Sequence, residues 1–569
     1  MIHYTLSTEN PSAQYIKISM QFEPTSEVIT IQLPAWRPGR YELGNFAKNI
    51  KGFNVVNENG QELLFKKITK DAWEVQTKSA KIIKVSYAYF AAELNAGSTY
   101  LSEEQLYVNP VNCLTFVVGR ESEGAIVDLK IPADYVIASS LEMDQHTLFA
   151  NDFDELADSP FICSNTLQHN SYNVGEILFH VWFQGEVKVD WEKLIPDFTA
   201  FSEKQIEKFG SFPVEEYHFL TQIVPFRAYH GVEHSRSTVL LLGPSYAVFK
   251  DAYKDLLGVS SHELYHTWNV KAIRPIELFP YDFTKENYSE LGFLCEGVTT
   301  YMGDLFLYKS GVFDLIEYFN EMNAQLQKHF DNPARFNYSV AQSSFDTWLD
   351  GYVPGAPNRK VSIYTEGCLL SFVFDVFIIK NSDGKYSLDD VMKHLYEDFY
   401  QKNKGVSEQD YRNAIASFAG TSVTTIFENY VHNVTDYTQL LQTSFDTIGL
   451  KMTSKPNDKI SQSKLGVKTL PQGSYFVVKS IYPNSPADIS GLMLEDEIIA
   501  IQAMDVNGNL DAWLGYFNQD EIEVMVKRKG VFLNKKITLD SKGYYPEYFL
   551  QESKEKSEAQ KKYFERWSK

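Results

Sequence analysis

The chain has 569 residues, which is too long for a single hydrophobic core, because domains usually hold about 100 to 200 residues. Its 44% of hydrophobic and 14% of aromatic residues are typical of a protein that folds. With 53 Lys and Arg against 74 Asp and Glu, the net charge of −21 repels phosphate backbones and anionic membrane surfaces, so nucleic acid is excluded as an expected partner.

The cysteines and the N-terminus narrow the class of protein further. Four cysteines are widely spaced without a CxxC pair, so neither a disulfide framework nor a thiolate zinc site is expected. The start, MIHYTLSTENPSAQYIKISMQF, alternates like a strand and lacks the basic and apolar regions of a secretory signal. No uninterrupted apolar run reaches the length of about 18 residues that a membrane span needs. We expect a cytoplasmic protein, or a periplasmic or secreted one if a signal has been removed.

Residues 1–165 are predicted to form an antiparallel, β-sandwich-like domain. Short alternating runs such as YIKISMQF, EVITIQL and KIIKVSYAYF are separated by turn clusters such as NENG. One segment, LPAWRPGRYELGNFAKNI, breaks the alternation with Pro34, Pro38 and Gly39 and indicates a structured loop. We assign this loop no chemistry.

Residues 166–454 are predicted to form one mixed domain whose helices supply an interior site. A strand pair around YNVGEILFHVWFQG is followed by a helical stretch near residues 190–209 and an apolar strand, YHFLTQIVPF. Beyond Arg236 the chain turns mainly helical, with amphipathic segments such as SYAVFKDAYKDLLGVSSHELYHTWNV and FDLIEYFNEMNAQLQKHF.

Residues 455–545 are predicted to form a small α/β unit after a polar, linker-like stretch, SKPNDKISQSK. Residues 546–569 are predicted to be a charged helical tail, because Glu552 with Lys556, and Glu558 with Lys562, stand at the stabilising i, i+4 spacing. The side chains expected to dock this tail are Tyr563 and Trp567.

The stretch SSHELYHTWNV predicts a catalytic zinc ion, one per chain. Residues four apart share a helix face, so His262 and His266 can both bind one zinc ion at about 2.0 to 2.1 Å. Glu263 is turned partly away from that axis and suits contact with a water on the metal. This is the arrangement of HExxH zinc peptidases, with two ligands and a general base on one helical turn.

A third ligand is expected from the helical segment ENYSELGFLCEGVTTY. Glu296 stands there among apolar neighbours, where a carboxylate costs several kcal/mol unless it is paired or binds a cation. Glu286 and Glu290 are the alternatives, but they precede the apolar part of the helix and are expected to face solvent. Two histidines and one carboxylate leave a fourth position for water, whose proton Glu263 would accept.

Five segments together resemble the glycyl-aminopeptidase family of zinc metallopeptidases, and they cover nearly the whole chain in order: LPAWRPGRYELGNFAKNI, YHGVEHSRST, HELYHTWNVKAIRP, ENYSELGFLCEGVTTY and SIYTEGCLLSFVFD. The resemblance implies an α+β multidomain protein with an N-terminal antiparallel β domain, a thermolysin-like, mainly helical catalytic domain and a C-terminal PDZ-like domain. The long spacing between His266 and the third ligand is similar to this family's own and supports Glu296.

The resemblance also implies roles for further residues. Tyr364 in SIYTEGCL matches a tyrosine similar to the phenol with which related aminopeptidases stabilise the oxyanion, although Glu366 replaces the usual lysine. In HGVEHSRST, Glu233 matches the glutamate that holds the free α-amino group, with His234 as its neighbour in the substrate pocket. His230 stands where the family usually has glycine and would narrow the cleft.

The segment KLGVKT is similar to the carboxylate-binding loop of PDZ domains. By that likeness the backbone N–H groups of Leu465, Gly466 and Val467 would bind a peptide C-terminus while the peptide adds as a strand. In the alternative, this unit only packs against the catalytic domain.

The leading hypothesis is a zinc aminopeptidase acting on peptides with a free N-terminus. A preference for glycine or alanine as the first residue is implied by the family name. The alternatives are an endopeptidase on the same scaffold and a PDZ-type scaffolding protein with an idle or structural metal site.

Overall fold

The computed structural model describes residues 1–78, 80–353 and 355–569. The N-terminal region consists of short strands with two small helices. Its elements are β1 (Ile2–Ser7), β2 (Tyr15–Phe22), β3 (Val28–Gln32), β4 (Ile50–Asn57), β5 (Phe65–Lys67), β6 (Ala72–Gln76), β7 (Ile83–Phe90), β8 (Tyr100–Leu101), β9 (Gln105–Val108), α1 (Pro110–Cys113), β10 (Phe116–Val117), β11 (Ala125–Lys130), β12 (Val136–Ser139), β13 (Glu142–Asp144), β14 (Thr147–Ala150), α2 (Phe153–Ala157) and β15 (Phe161–Ser164).

The strands of this domain pair in the orders β13-β14-β11-β1-β2-β7-β4, β10-β3-β6-β5 and β12-β15-β9-β8. Alternation along β2 places Ile18 and Met20 in the core, which they share with Ile31 of the second sheet. The domain is antiparallel as predicted except at one place, where β1 and β11 run parallel with Tyr4 opposite Val127. This pairing joins distant parts of the chain, and a parallel pair needs such a long connection.

The central domain begins with a mixed sheet in the order β16-β17-β18-β20-β19, which leaves β19 as an edge strand. Helix α3 follows the first strand pair, as the sequence predicts. The elements are β16 (Gln168–Val174), β17 (Ile177–Gln184), α3 (Trp191–Phe209), β18 (Glu216–Ile223), β19 (Ala228–Glu233) and β20 (Ser237–Gly243).

Helices form the rest of the central domain and cover one large apolar core. They are α4 (Tyr253–Tyr265), α5 (Val298–Lys309), α6 (Leu315–Asp331), α7 (Val340–Phe345), α8 (Thr347–Asp350), α9 (Ile363–Asn381), α10 (Leu388–Asp398), α11 (Glu408–Ala419), α12 (Val423–Ile426) and α13 (Thr438–Thr447), with π-helical segments at Thr267–Ala272, Phe293–Gly297 and Phe427–Val431. The amphipathic segment predicted from Ser245 becomes an α-helix only at Tyr253, because residues 245–252 form turns.

Two glycines set the spacing between the segments that carry Glu296 and Tyr364. A Cβ atom on Gly297 would lie 2.3 Å from the Cα atom of Gly367, a distance that no side chain tolerates. Gly297 directly follows Glu296, and Gly367 lies in the first turns of α9, three residues after Tyr364. The close crossing therefore brings both functional candidates to the same side of the core.

The C-terminal region is a small sheet unit held between two paired strands. Its elements are β21 (Leu450–Lys455), α14 (Ile460–Ser463), β22 (Val467–Gln472), β23 (Tyr475–Ile481), α15 (Pro486–Ile489), β24 (Glu497–Ile501), β25 (Met504–Asp505), α16 (Leu510–Phe517), β26 (Glu521–Arg528), β27 (Val531–Thr538), β28 (Glu547–Glu552) and α17 (Glu558–Ser568). Strands β22, β23, β24, β26 and β27 form the sheet in that order around a separate core, while β21 pairs with β28.

The tail of the chain differs in part from its prediction. It begins as strand β28, because Leu450 pairs with Glu552 across the inserted unit, and it is helical only over Glu558–Ser568. The predicted docking of Trp567 is confirmed: its ring is fully buried and its Nε1–H donates to the hydroxyl of Tyr301 at 2.9 Å. Each helix in the described part of the chain is too short or too polar to traverse a lipid bilayer.

Candidate active site

The predicted metal ligands lie together although they come from two segments. The Nε2 atoms of His262 and His266 are 3.0 Å apart, and the Glu296 carboxylate oxygen Oε2 lies 3.8 Å and 3.4 Å from them. Ligands on a tetrahedral ion with bonds of about 2.0 to 2.1 Å stand roughly 3.3 Å from one another. The three side chains therefore fit one zinc ion.

His266 is oriented by the loop that follows it. Its Nδ1–H donates to the backbone carbonyl of Asn269 at 2.7 Å, so the lone pair of Nε2 is free and faces Glu296. The Asn269 amide in turn donates to the carbonyls of Leu294 and Cys295 at 2.9 and 3.2 Å. Asn269 thus links by hydrogen bonds the segment around His266 to the segment that carries Glu296.

Replacing Asn269 by Ala is expected to weaken zinc binding about 10- to 100-fold, because its amide holds in place the carbonyl that orients His266, and loss of a group that orients a metal ligand has effects of this size. The measurement is zinc affinity by competition with a chelator. Asn112→Ala is the matched control, because Asn112 is equally buried and donates to the carbonyl of Gly97 at 2.8 Å in the other domain. Equal losses of affinity in both variants would contradict this role of Asn269.

Charge at the site favours a cation. Burial lowers the pKa of His266, but the carboxylates of Glu296 and Glu233 outweigh it, so the net shift is upward. Burial raises the pKa of Glu296, and this effect is outweighed mainly by His266, so the pKa of Glu296 is lowered. A divalent cation meets the same demand for positive charge and displaces the proton.

The Glu263 carboxylate lies beside this centre in a confined space. A Cβ atom on Gly231 of β19 would lie 2.1 Å from Oε1 of Glu263, so a side chain there would displace this carboxylate. Glu263 is 5% exposed, and burial raises its pKa well above the usual value. Within residues 1–78, 80–353 and 355–569, its Oε2 has no hydrogen-bond partner. Ligand atoms of Glu263, Glu233 and His266 lie within 4.8 Å of one another.

Glu233 stands at the end of the edge strand β19, next to the predicted loop of the N-terminal domain. Gly39 has a φ of +81°, which favours glycine, and a Cβ atom there would lie 2.5 Å from Oε2 of Glu233 and displace it. The other oxygen, Oε1, is buried without a partner. The loop LPAWRPGRYELGNFAKNI, to which the sequence assigns no chemical role, therefore contacts the proposed amine anchor.

Tyr364 begins α9 and faces the same cavity. Burial, and then the charge of Glu296, raise the pKa of its phenol well above the ordinary value, so the hydroxyl stays protonated and can donate. Tyr352 contributes to that shift and accepts the backbone N–H of Tyr41 at 3.3 Å. Sequence reasoning missed Tyr352, which lies in a segment without a recognisable motif.

One cavity of about 1060 Å³ contains these groups. The candidate residues among its lining are His262, Glu263, His266, Glu296, Glu233 and Tyr364. His230 also lines this cavity, as expected from its place in the sequence. Glu366, which replaces the lysine usual in the family, is buried and paired with His329 at 2.7 Å.

The structure does not bring His234 to the cleft, although the sequence predicts it as a substrate contact. Successive residues of a strand point to opposite faces, so the neighbour of Glu233 faces away. His234 is 3% exposed and its Nδ1–H donates to Asp158 of the N-terminal domain at 3.0 Å.

At least one of the three backbone amides predicted to capture a peptide C-terminus is bonded within the chain. Leu465 and Val467 are fully buried, and the N–H of Leu465 donates to the carbonyl of Ile460 at 3.1 Å. Gly466 has the left-handed φ of +79°. Its carbonyl accepts the N–H of Tyr482 at 2.9 Å. The Leu465 amide is therefore not available to a carboxylate.

A second histidine group lies on the central sheet, where ligand atoms of His180, Glu216 and His218 are within 4.8 Å of one another. Trp182 donates its Nε1–H to Nδ1 of His218 at 3.2 Å. The proton of neutral His218 then resides on Nε2, which prevents that atom from binding a metal. The zinc site is better assigned to His262, His266 and Glu296.

Comparison with known proteins gives the family. Residues 3–165 match the Peptidase M61 N-terminal domain and residues 255–370 match the M61 glycyl aminopeptidase. An aminopeptidase N family protein from Idiomarina loihiensis has the same fold, with a TM-score of 0.92 over 100% of both chains at 24% identity. A mutant M1 zinc metallopeptidase from Deinococcus radiodurans, solved with a Tyr-Ser-Ala substrate, gives a TM-score of 0.48 at 14% identity and covers 76% of this chain and 94% of its own. No curated protein matches the chain.

The fold and the matched domains define a zinc-dependent aminopeptidase. The chain belongs to the M61 peptidase family, which its sequence motifs resemble, and both the N-terminal and the catalytic domain of that family are present.

Proposed function

We propose that this aminopeptidase removes small N-terminal residues, glycine or alanine, from peptides, and that it uses one zinc ion per chain held by His262, His266 and Glu296. The observation that carries the proposal is the convergence of this ligand set with two further buried carboxylates, Glu263 and Glu233, in one cavity. We propose small residues as the preferred first residues because the matched family is described as glycyl aminopeptidase.

When bound there, zinc supplies Lewis acidity, which makes an attacking water more acidic and polarises the scissile carbonyl. Glu263 accepts a proton from that water and then donates it to the leaving amine, so hydrolysis consumes one water and yields a carboxylate and an amine. Burial raises the pKa of Glu263, which favours its holding the accepted proton until the amine leaves.

Tyr364 and Glu233 act on the charges of the substrate. The Tyr364 hydroxyl donates to the carbonyl oxygen as negative charge develops on it in the transition state. The Glu233 carboxylate, whose buried Oε1 has no hydrogen-bond partner among the described residues, binds the α-ammonium group of the first residue. Glu233 has a carboxylate oxygen within 4.8 Å of a ligand atom of His266. An anion fixed so close to the proposed zinc ion favours cleavage after the first residue.

The free N-terminus provides the test of this function. Cleavage of alanine p-nitroanilide is expected to be at least tenfold more efficient than cleavage of its N-acetyl derivative. Glu233→Gln is expected to lower kcat/KM for the free amine about 10- to 100-fold, since a hydrogen bond to a charged group contributes about 1.5 to 3 kcal/mol. Equal cleavage of acetylated and free substrates by the parent enzyme would favour an endopeptidase.

We further propose that the C-terminal unit is a PDZ-like domain whose role is packing rather than capture of peptide C-termini. Its flanking strands β21 and β28 pair with each other, and Lys468 of β22 forms an ion pair with Asp331 of α6. The strand pairing joins the two ends of the unit, and the ion pair attaches it to the catalytic domain. The test is retention of the enzyme on a resin that carries immobilised peptides with free C-termini. We expect the same retention on this resin as on the bare resin.

A further inference from the structure

One carboxylate of the N-terminal domain is bound by two segments of the catalytic domain. Asp158 follows α2 and is nearly buried, with 10% of its side chain exposed. Its Oδ2 accepts the backbone N–H and the hydroxyl of Ser235 at 2.8 and 2.7 Å. Its Oδ1 accepts Nδ1–H of His234 at 3.0 Å and the ammonium group of Lys271 at 2.8 Å.

These partners are close in sequence to the active site. His234 and Ser235 directly follow Glu233 in the turn between β19 and β20, which the N–H of His234 closes by donating to Ser237 at 2.9 Å. Lys271 lies five residues after His266 and its side chain is only 1% exposed. Asp158 thus ties the turn after the proposed amine anchor to the segment after the metal ligand.

The Glu233 carboxylate depends on its backbone for its position. Over the described residues, it accepts no hydrogen bond from the protein, and Oε1 is buried. Its other oxygen lies against Gly39, again in the N-terminal domain. Its backbone is fixed by pairing with Thr238 in the β19–β20 ladder and, on its other side, by the turn that Asp158 holds.

We propose that Asp158 is a positioning residue for Glu233, so that the N-terminal domain takes part in recognition of the substrate's free amine. The inference rests on the proposed function of Glu233. It also gives His234 a role as a link in this support rather than as a substrate contact.

The test removes Asp158 without leaving Lys271 as an unpaired buried charge. The double variant D158N/K271M is expected to raise KM for alanine p-nitroanilide about tenfold, with kcat within about twofold and the zinc content unchanged, because displacement of a binding group impairs substrate placement. The matched control is D389N/K309M, which removes an equally buried ion pair of 2.7 Å far from the anchor and is expected to keep the parent KM.

If the double variant does not fold, two single substitutions at His234 test whether Asp158 positions Glu233. His234→Ala removes the bond to Asp158 and is expected to raise KM, whereas His234→Asn, whose amide can donate in the same place, is expected to restore it. An active parent with the same KM in D158N/K271M, or in both His234 variants, overturns this inference alone. An inactive parent overturns the proposed function and this inference with it.

Discussion

Replacing Glu263 by Gln is expected to lower kcat about 10²- to 10⁴-fold, the size of a general-base contribution, while the zinc content stays at the parent level. Gln has the shape of Glu and keeps the contact with Gly231, but it cannot accept the proton of the attacking water. Because the ligand set is untouched, the loss should appear in kcat rather than in metal binding.

The control for this variant is Glu321→Gln. Glu321 lines the same cavity, and its pKa is raised by burial and then by Asp255, with no contribution from the proposed zinc ligands. We expect activity within about twofold of the parent, because Glu321 has no role in the proposed proton transfer. If Glu263→Gln retained the parent kcat, or if both variants lost activity equally, Glu263 would not be the base.

Replacing Glu296 by Gln is expected to abolish activity and to weaken zinc binding by more than about 100-fold, beyond the loss expected for a residue that only orients a metal ligand. The variant removes the anionic ligand and leaves two neutral imidazoles, which hold zinc less firmly than a complete set of three ligands. Zinc content after dialysis, measured by elemental analysis, gives a readout that does not depend on activity.

Glu290→Gln is the matched control, because Glu290 was the competing third ligand in the sequence. It is exposed, and its ligand atoms group instead with those of Glu408 and His432. Parent zinc content and activity are expected. Loss of zinc from Glu290→Gln but not from Glu296→Gln would contradict the assigned ligand set.

The local part of the site could be predicted from the sequence for physical reasons. Residues four apart on a helix share a face, which brings His262 and His266 together whatever the rest of the fold does. Glu296 could be found because a carboxylate among apolar neighbours needs a partner. Glu233 and Tyr364 had no such signal, and only the family resemblance suggested them.

Contacts between distant segments could not be predicted in this way. The pairing of β21 with β28 depends on residues about a hundred positions apart in the chain, so the charge spacing in the tail indicated a helix where a strand begins. From another domain, Gly39 lies against Glu233 and Asp158 bonds to its neighbour His234, and nothing in the segments of Gly39 and Asp158 indicates these contacts. The position of His234 outside the substrate cavity could have been predicted, because successive residues of a strand point to opposite faces and His234 directly follows Glu233.

The central claim is that His262, His266 and Glu296 bind one zinc ion in the cavity that holds Glu263. The most direct measurement is a crystal structure of the zinc-loaded protein with anomalous data collected at the zinc absorption edge. The account predicts one strong peak at about 2.0 to 2.2 Å from both Nε2 atoms and from a Glu296 oxygen. A peak at His180 and His218 instead, or zinc bound to the two histidines with Glu296 turned away, would contradict it.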